Sequence, residues 1–414
     1  MITYSKAQEL LSLIASKVEL AIEEVLLLDS VGRVLAQDLQ SAEFIPQFKN
    51  SAMDGFVLNA AETISATTKK PVEFKVFQCM AAGDWPVVNA EELTAVEIMT
   101  GAPIPNEYYN SVIKIEEVSF KKDSKGNIIS VLVSREVRTG EHIRNKGEDF
   151  RPGQVLLNKG QIIQTQHVLA LATLGINRIA VYKKPNLTIL STGKELVPHT
   201  ERKLGSAQIR NSTAPYLVCY LSELGFNPKF EGIVADAEDV FISKIEDLLQ
   251  TEVDVIITTG AVSMGKYDFI KIALEKIGAE IHFHKCAIRP GKPILFASLK
   301  KEKKIITFFG MPGNPISTAV GAKFFLIPFL RQVLGIESEI YHQAYLAQDY
   351  KKPEGLRCFF NGEVYSDQGK YMVKVLPGQA SFMVSSLLKA NSWVVFPENA
   401  TNITKNTLVE VYNL

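Results

Sequence analysis

The sequence predicts a multidomain chain of α/β plus β class, with a central α/β domain carrying a mostly parallel sheet and β-rich parts on either side. Three observations predict this. The length of 414 residues exceeds what one ordinary core organises. Apolar runs at residues 187–190, 253–257 and 305–309 each end in a glycine-bearing loop, and helical patterns follow. Outside that region, short β-rich runs alternate with Gly, Pro and Asn turns.

Taken in order, Ala7, Leu10, Leu11 and Ile14 recur at helical spacing, so residues 5–16 open the chain as an amphipathic helix. Runs such as residues 72–77 and 130–133 read as strands of a small β-rich insertion over residues 41–139. Residues 140–182 hold Gly140, Gly147, Gly153 and Gly160 at regular turns, then a helix near residues 164–174. With residues 1–40 they form a linking domain. The α/β domain spans residues 183–330, and its last helix, residues 316–334, stops at Gly335. Residues 331–414 return to short strands, through 409–412, as a small all-β domain.

Composition excludes several classes. Lys+Arg and Asp+Glu both number 45, so no basic excess marks a nucleic-acid or membrane-surface binder. The run Lys300-Lys301-Glu302-Lys303-Lys304 reads as a solvated hairpin. No stretch of 18 or more apolar residues occurs, and charged residues interrupt the first twenty, so neither a membrane span nor a signal peptide is expected. Cys79, Cys219, Cys286 and Cys358 form no C-x-x-C pair and read as reduced thiols of a cytoplasmic protein.

Chemistry is expected at the carboxyl ends of the parallel strands. Loops beginning Ser191-Thr192-Gly193, Thr258-Thr259-Gly260 and Gly310-Met311-Pro312-Gly313-Asn314-Pro315 converge there, and such loops let backbone N–H groups approach an anion. Ser263 and Gly265 continue the second loop. The segment Ile288-Arg289-Pro290-Gly291-Lys292-Pro293 frames two cations in a stiff turn, with Lys285 upstream on a strand; a clamp for phosphate or a similar oxyanion gives that rigidity a purpose. Glu195, Asp236 and Asp268 stand beside the loops. A Mg²⁺ ion shared with substrate phosphates reconciles carboxylates with an anion, while Asp268 reads equally well as an acid at a helix N-terminus. His282 and His284 share one strand face, lack a third ligand, and read as solvent-facing.

These residues resemble the molybdopterin molybdenumtransferase family, which includes the carboxy-terminal domain of gephyrin. The resemblance runs along nearly the whole chain through Asn50-Ser51-Ala52-Met53-Asp54-Gly55-Phe56, Met99-Thr100-Gly101-Ala102-Pro103, Arg144 with Gly147-Glu148-Asp149, Ser191-Thr192-Gly193 with Glu195-Leu196, Asn211, the loop through Gly265, the turn 289–293 and residues 311–315. It implies an α/β domain similar to the molybdopterin adenylyltransferase fold, a β-barrel-like C-terminal domain, and a homodimer in which the insertion of one subunit faces the α/β domain of the other. It further implies that molybdate and adenylylated molybdopterin are substrates, with Mg²⁺ as cofactor and AMP released. Asp54, Thr100, Glu195, Asp236, Asp268, Lys285, Arg289 and Lys292 are then the catalytic candidates. Arg144, Asp149, Gly260, Ser263, Gly265, Pro312, Gly313, Asn314, Pro315 and Ser381 are the substrate-binding ones. The adenylyltransferase of the preceding step is the expected protein partner. An adenylyltransferase activity, or a non-catalytic scaffold on the same fold, is the alternative.

The chain departs from the family pattern at several points. Lys194 replaces an Asp, Ala261 and Ala380 replace Gly, Asn361 stands where a basic residue is common with Arg357 nearby, and residues 106–111 lack the usual Gly-Ala-Asp.

Overall fold

The structure, a computed structural model, describes residues 1–85, 89–261 and 269–414. It forms two compact units. One comprises Met1–Gln37, Lys159–Thr165 and Arg178–Leu414; the other comprises Asp38–Asn158 and Gln166–Asn177.

The first unit contains the α/β sheet. In chain order its elements are β1 (Leu187–Thr192), α1 (Thr213–Glu223), β2 (Lys229–Val234), α2 (Glu238–Leu249), β3 (Val255–Thr259), α3 (Ile270–Lys276), β4 (Glu280–Phe283), β5 (Leu295–Lys301), β6 (Lys304–Met311) and α4 (Pro315–Gly321). The strand order is β2-β1-β3-β6-β5-β4. The first three pairings are parallel and the last two antiparallel. Every residue of β1 and β3 is buried, as expected of strands covered on both faces.

Alternation along the strands assigns the two faces. Leu187, Ile189, Val255 and Ile257 pack with Ala214, Leu217 and Leu221 of α1, and with Ala7, Leu11 and Ile14 of the N-terminal helix Tyr4–Ala15. Leu190, Ile256 and Phe308 pack with Phe241, Ile245 and Leu248 of α2 and with Ile270 and Leu274 of α3. Phe241 is fully buried, a side chain whose burial is worth about 1.5–3 kcal/mol. The chain therefore leaves β1 along one face to reach β2, then returns along the other face to reach β3 beyond β1. Connections that diverge in this way open a crevice at the carboxyl ends of β1 and β3.

Two strands run further than their apolar runs suggest. Ser191-Thr192 and Thr258-Thr259 are the buried ends of β1 and β3 rather than loop residues. The hydroxyls of Ser191 and Thr259 are satisfied there: Ser191 Oγ lies 3.0 Å from Thr259 Oγ1, Asn211 Nδ2 donates to Ser191 Oγ at 2.9 Å, and Thr213 Oγ1 donates to Thr259 Oγ1 at 3.1 Å. Hydrogen-bonded Thr is compatible with burial, and its β-branch suits a strand. The basic run is the expected hairpin, β5 and β6 meeting at the pair Lys301 and Lys304.

Other expectations are corrected. The His282 side chain is only 6% exposed, bonded to Ser298 Oγ at 2.7 Å and tilted against Phe296, so it does not face solvent. Burial holds its pKa below the ordinary imidazole range. Lys285 lies beyond the end of β4, where its carbonyl accepts from the Ile2 N–H at 3.0 Å.

The helical stretch Pro315–Val333 has the length and hydropathy of a membrane span, yet 78% of it is buried within the unit, as befits a core helix. A π turn at Ala322–Leu326 interrupts it, and there the Phe324 carbonyl accepts from Gln8 Nε2 at 2.9 Å. Beyond it, His342–Leu346, Arg357–Asp367, Lys370–Val375, Ser392–Phe396 and Leu408–Asn413 close into a five-stranded barrel filled by Leu346, Phe360, Val373, Val394, Phe396 and Val411. The short strand Ile288–Arg289 pairs with the barrel strand Arg357–Asp367.

The second unit is built on a six-stranded sheet in the order Ser111–Lys114, Gly55–Leu58, Thr94–Ile98, Val72–Met80, Ile128–Val133, Ser119–Lys122. Phe56, Leu58, Phe74, Ile113 and Val131 form one of its cores.

Candidate functional site

The crevice at the ends of β1, β3 and β6 is a cleft of about 730 Å³. Its walls include Thr192 to Leu196, Asp236, Thr259 to Ala261, Pro312 to Pro315 and Phe382. The three strand-end loops touch backbone to backbone. Gly260 has φ +93°, its N–H donates to the Met311 carbonyl at 3.0 Å, and a Cβ there would lie 2.3 Å from the Thr192 carbonyl oxygen. A Cβ on Gly313 would lie 3.6 Å from Gly260 Cα. Gly260 is thus required both for its left-handed backbone and for space. Ala261 also adopts positive φ, +49°, where its Cβ is strained and a glycine would not be.

Carboxylates gather at one wall. Asp236 Oδ2 accepts from the Lys194 N–H at 3.0 Å, and both Glu195 carboxylate oxygens lie 3.0 Å from where a Gly193 Cβ would stand. Among the described residues no group of three His, Cys, Asp or Glu side chains forms a metal cage. At the β6 end, Asn314 precedes Pro315, the first residue of α4. Thr318 Oγ1 donates to the Pro312 carbonyl at 2.6 Å, and Asn314 Nδ2 donates to Ser381 Oγ at 3.0 Å.

The cationic turn adjoins this cleft through Pro293, which lines it. The Cys286 N–H donates to the Lys292 carbonyl at 3.0 Å and closes the turn; Arg289-Pro290 is cis, and Gly291 has φ +97°. Arg289 and Lys292 are exposed and Lys285 is half-buried. Arg289 pairs in register with Cys358 of the barrel. The structure thus brings Glu195, Asp236, Gly260 and Pro312 to Pro315 into one cleft, with Ser381 bonded to its wall. Lys285, Arg289 and Lys292 frame the neighbouring turn without lining the cleft. Ser263, Gly265 and Asp268 lie outside the described residues.

Asp54, Thr100, Arg144 and Asp149 belong to the second unit. There Asp54 Oδ1 accepts from the Thr100 N–H at 2.7 Å and from Thr100 Oγ1 at 2.8 Å. The backbone bond first, and the hydroxyl second, hold the Asp54 carboxyl below its ordinary range. The contact therefore favours the fold above the ordinary carboxylate pKa, and that contribution is lost as pH falls through the lowered value. In Thr100→Val the hydroxyl bond disappears and the backbone bond stays, so the Asp54 carboxyl should titrate at higher pH by NMR. An unchanged titration would remove the hydroxyl from this account. Arg144 pairs with Asn50 on a short ladder, and the Asp149 N–H donates to the Ile45 carbonyl at 2.9 Å.

Comparison with known proteins follows the chain from end to end. Family models match residues 2–175 (MoeA N-terminal region, domain I and II), 188–332 (probable molybdopterin binding domain) and 343–414 (MoeA C-terminal region, domain IV). The molybdopterin molybdenumtransferase of Synechococcus elongatus is 36% identical over 100% of both chains. The chain belongs to the molybdopterin molybdenumtransferase family. Another molybdopterin molybdenumtransferase, from Bacillus subtilis, is 33% identical over 94% of this chain and 89% of its own length. Gephyrin of Dictyostelium discoideum is 30% identical over 94% of this chain and 59% of its own. A solved molybdopterin biosynthesis moeA protein from Pyrococcus horikoshii superposes with TM-score 0.82, 27% identity and complete coverage of both chains. Family membership thus extends across the barrel and the inserted sheet as well as the α/β domain.

Sequence reasoning passed over Phe382, an aromatic ring in the cleft wall. Its position directly after Ser381, in a Gly- and Ser-bearing segment, was the available signal.

Proposed function

We propose that the enzyme inserts molybdenum from molybdate into adenylylated molybdopterin, releasing AMP and giving the molybdenum cofactor. The observation that carries this reading is the cleft at the strand ends, where three glycine-bearing loops meet between a carboxylate wall and a rigid cationic turn in a chain of this family. Loops at Gly260 and at Pro312 to Pro315 cradle the pterin nucleotide. Arg289 takes nucleotide phosphate, Lys285 assists, and Lys292 with Ser381 takes molybdate. Two carboxylates from different strand-end loops on one wall of the cleft, beside an expected phosphate site, fit a Mg²⁺ ion shared with substrate phosphates. Glu195 and Asp236, with Asp268, would hold it, and it would neutralise phosphoanhydride charge. The chain's own contribution is positioning and charge compensation, because the dithiolene brings its own sulfur ligands.

In this reading the working form is a cytoplasmic homodimer. Asp54 and Thr100, with Arg144 and Asp149, complete the cleft of the neighbouring subunit. Residues 1–40 with 140–182, 41–139, 183–330 and 331–414 are its four domains. The adenylyltransferase of the preceding step delivers the substrate, and neither nucleic acid nor membrane takes part.

The direct test incubates purified protein with adenylylated molybdopterin, molybdate and Mg²⁺ and follows AMP release together with transfer of active cofactor. AMP release without metallated product would sink the proposal. Lys292→Ala removes a charge-assisted contact worth about 1.5–3 kcal/mol, so molybdate dependence should weaken about ten- to hundredfold. Raised molybdate should rescue it. Rescue by excess pterin nucleotide instead would move Lys292 to the phosphates.

A further inference from the structure

Phe382 is the one aromatic ring on the wall of the cleft among the described residues, and it is 66% exposed. The surrounding wall combines glycine and proline backbone with the hydroxyls of Thr192 and Thr259, the carboxylates of Glu195 and Asp236, and the aliphatic Leu196 and Ile209. A phenylalanine this exposed beside the cleft leaves a ring face open to a ligand.

The segment that carries Phe382 is fixed on both sides. Before it, the Ile316 N–H donates to the Ser381 carbonyl at 3.0 Å, and Asn314 Nδ2 donates to Ser381 Oγ. Further back, the Gln379 amide brackets the backbone of Asn361 in the barrel: Oε1 accepts from the Asn361 N–H at 3.0 Å, and Nε2 donates to the Asn361 carbonyl at 3.0 Å. After it, Asn361 Nδ2 donates to Ser386 Oγ at 2.6 Å. The buried Asn361 side chain thus serves this loop. None of these anchors uses the Phe382 side chain, so the ring is not what holds the loop together. Its backbone is already ordered, and a ligand meeting the ring spends little free energy ordering the loop.

We propose that Phe382 is the stacking platform of the cleft, its ring taking the face of a planar nitrogen heterocycle of the substrate. The inference rests on the reading of that substrate as an adenylylated pterin. Adenine and pterin both offer such a face, and an aromatic side chain receives either by the same offset stacking. Ser381 beside it bonds to the loop assigned above to the pterin nucleotide, so the ring stands next to that ligand's cradle.

The test uses the full-length protein and its Phe382→Ala, Phe382→Leu and Phe382→Trp variants. Calorimetry follows AMP, ribose 5-phosphate and adenylylated molybdopterin. Phe382→Ala should weaken binding about ten- to hundredfold, the scale of a base stacked on an aromatic side chain. Phe382→Leu, apolar without a ring, should weaken it similarly, while Phe382→Trp should restore it. On binding, the added indole should also be quenched beyond any change from Trp85 and Trp393. Loss with AMP but not with ribose 5-phosphate identifies adenine as the stacked ring. Loss confined to adenylylated molybdopterin identifies the pterin. Unchanged affinities in Phe382→Ala, or equal losses for AMP and ribose 5-phosphate, overturn the proposal. An unsubstituted protein that binds none of the three overturns the proposed function first and the platform with it. Thermal midpoints should agree across the variants, since an exposed ring contributes little to the fold.

Discussion

Gly260→Ala is expected to abolish nucleotide binding while the remainder of the α/β core stays folded. An alanine Cβ at this position stands 2.3 Å from the Thr192 carbonyl oxygen and 2.9 Å from Thr192 Oγ1. Neither atom yields easily. The carbonyl belongs to the last residue of β1, and the hydroxyl donates to the Thr259 carbonyl at 3.3 Å. Overpacking costs about 1–3 kcal/mol and the left-handed conformation about 1–2 more, so roughly 2–5 kcal/mol must be found by moving a loop. The loop moves before the strands do, because β1 and β3 are buried along their whole length. A drop in thermal midpoint of several degrees should accompany a loss of affinity of about a hundredfold or more. Gly313→Ala is the graded control. Its Cβ meets Gly260 Cα at 3.6 Å, ordinary contact, and the effect should be mild. Equal behaviour of the two variants would contradict the close backbone approach.

Legibility in the sequence followed the kind of interaction. Strand and helix positions in the α/β domain were readable because apolar runs and 3.6-residue periods are local signals. The strand ends were not, because Thr192 and Thr259 are buried by partners that arrive from the other strand and from Asn211 and Thr213. His282 misled for the same reason: an edge strand reads as solvated until Ser298 and Phe296 of β5 are placed beside it. Closure of the barrel depends on Arg357–Asp367 pairing with both Lys370–Val375 and Ser392–Phe396, and no short window of sequence announces that. The cleft was legible as loops, since three glycine-bearing turns after strands of one sheet must share an edge. Phe382 was not, because a single aromatic in a loop carries no period. The Asp54 and Thr100 contact joins residues far apart in sequence, and only the family resemblance brought them together in advance.

Two lesions that each abolish activity should complement one another when placed on different subunits. Asp54→Ala breaks a carboxylate held by Thr100 in the inserted sheet, and Asp236→Ala breaks one in the wall of the cleft. In the proposed homodimer each site takes Asp54 from one subunit and Asp236 from the other. A heterodimer of the two variants then has one site with both lesions and one with neither. Random pairing makes half the dimers heterodimers, so coexpression should recover about a quarter of the unsubstituted activity. Each variant alone should show almost none. A second mixture separates this arrangement from sites built within one subunit. Pairing unsubstituted chains with the Asp54→Ala, Asp236→Ala double variant puts one lesion in each shared site, so those heterodimers should be inactive. Sites contained in single subunits would leave them half active and would leave the first mixture dead. The two mixtures therefore respond in opposite directions to the same question, and AMP release from purified, doubly tagged heterodimers reads both.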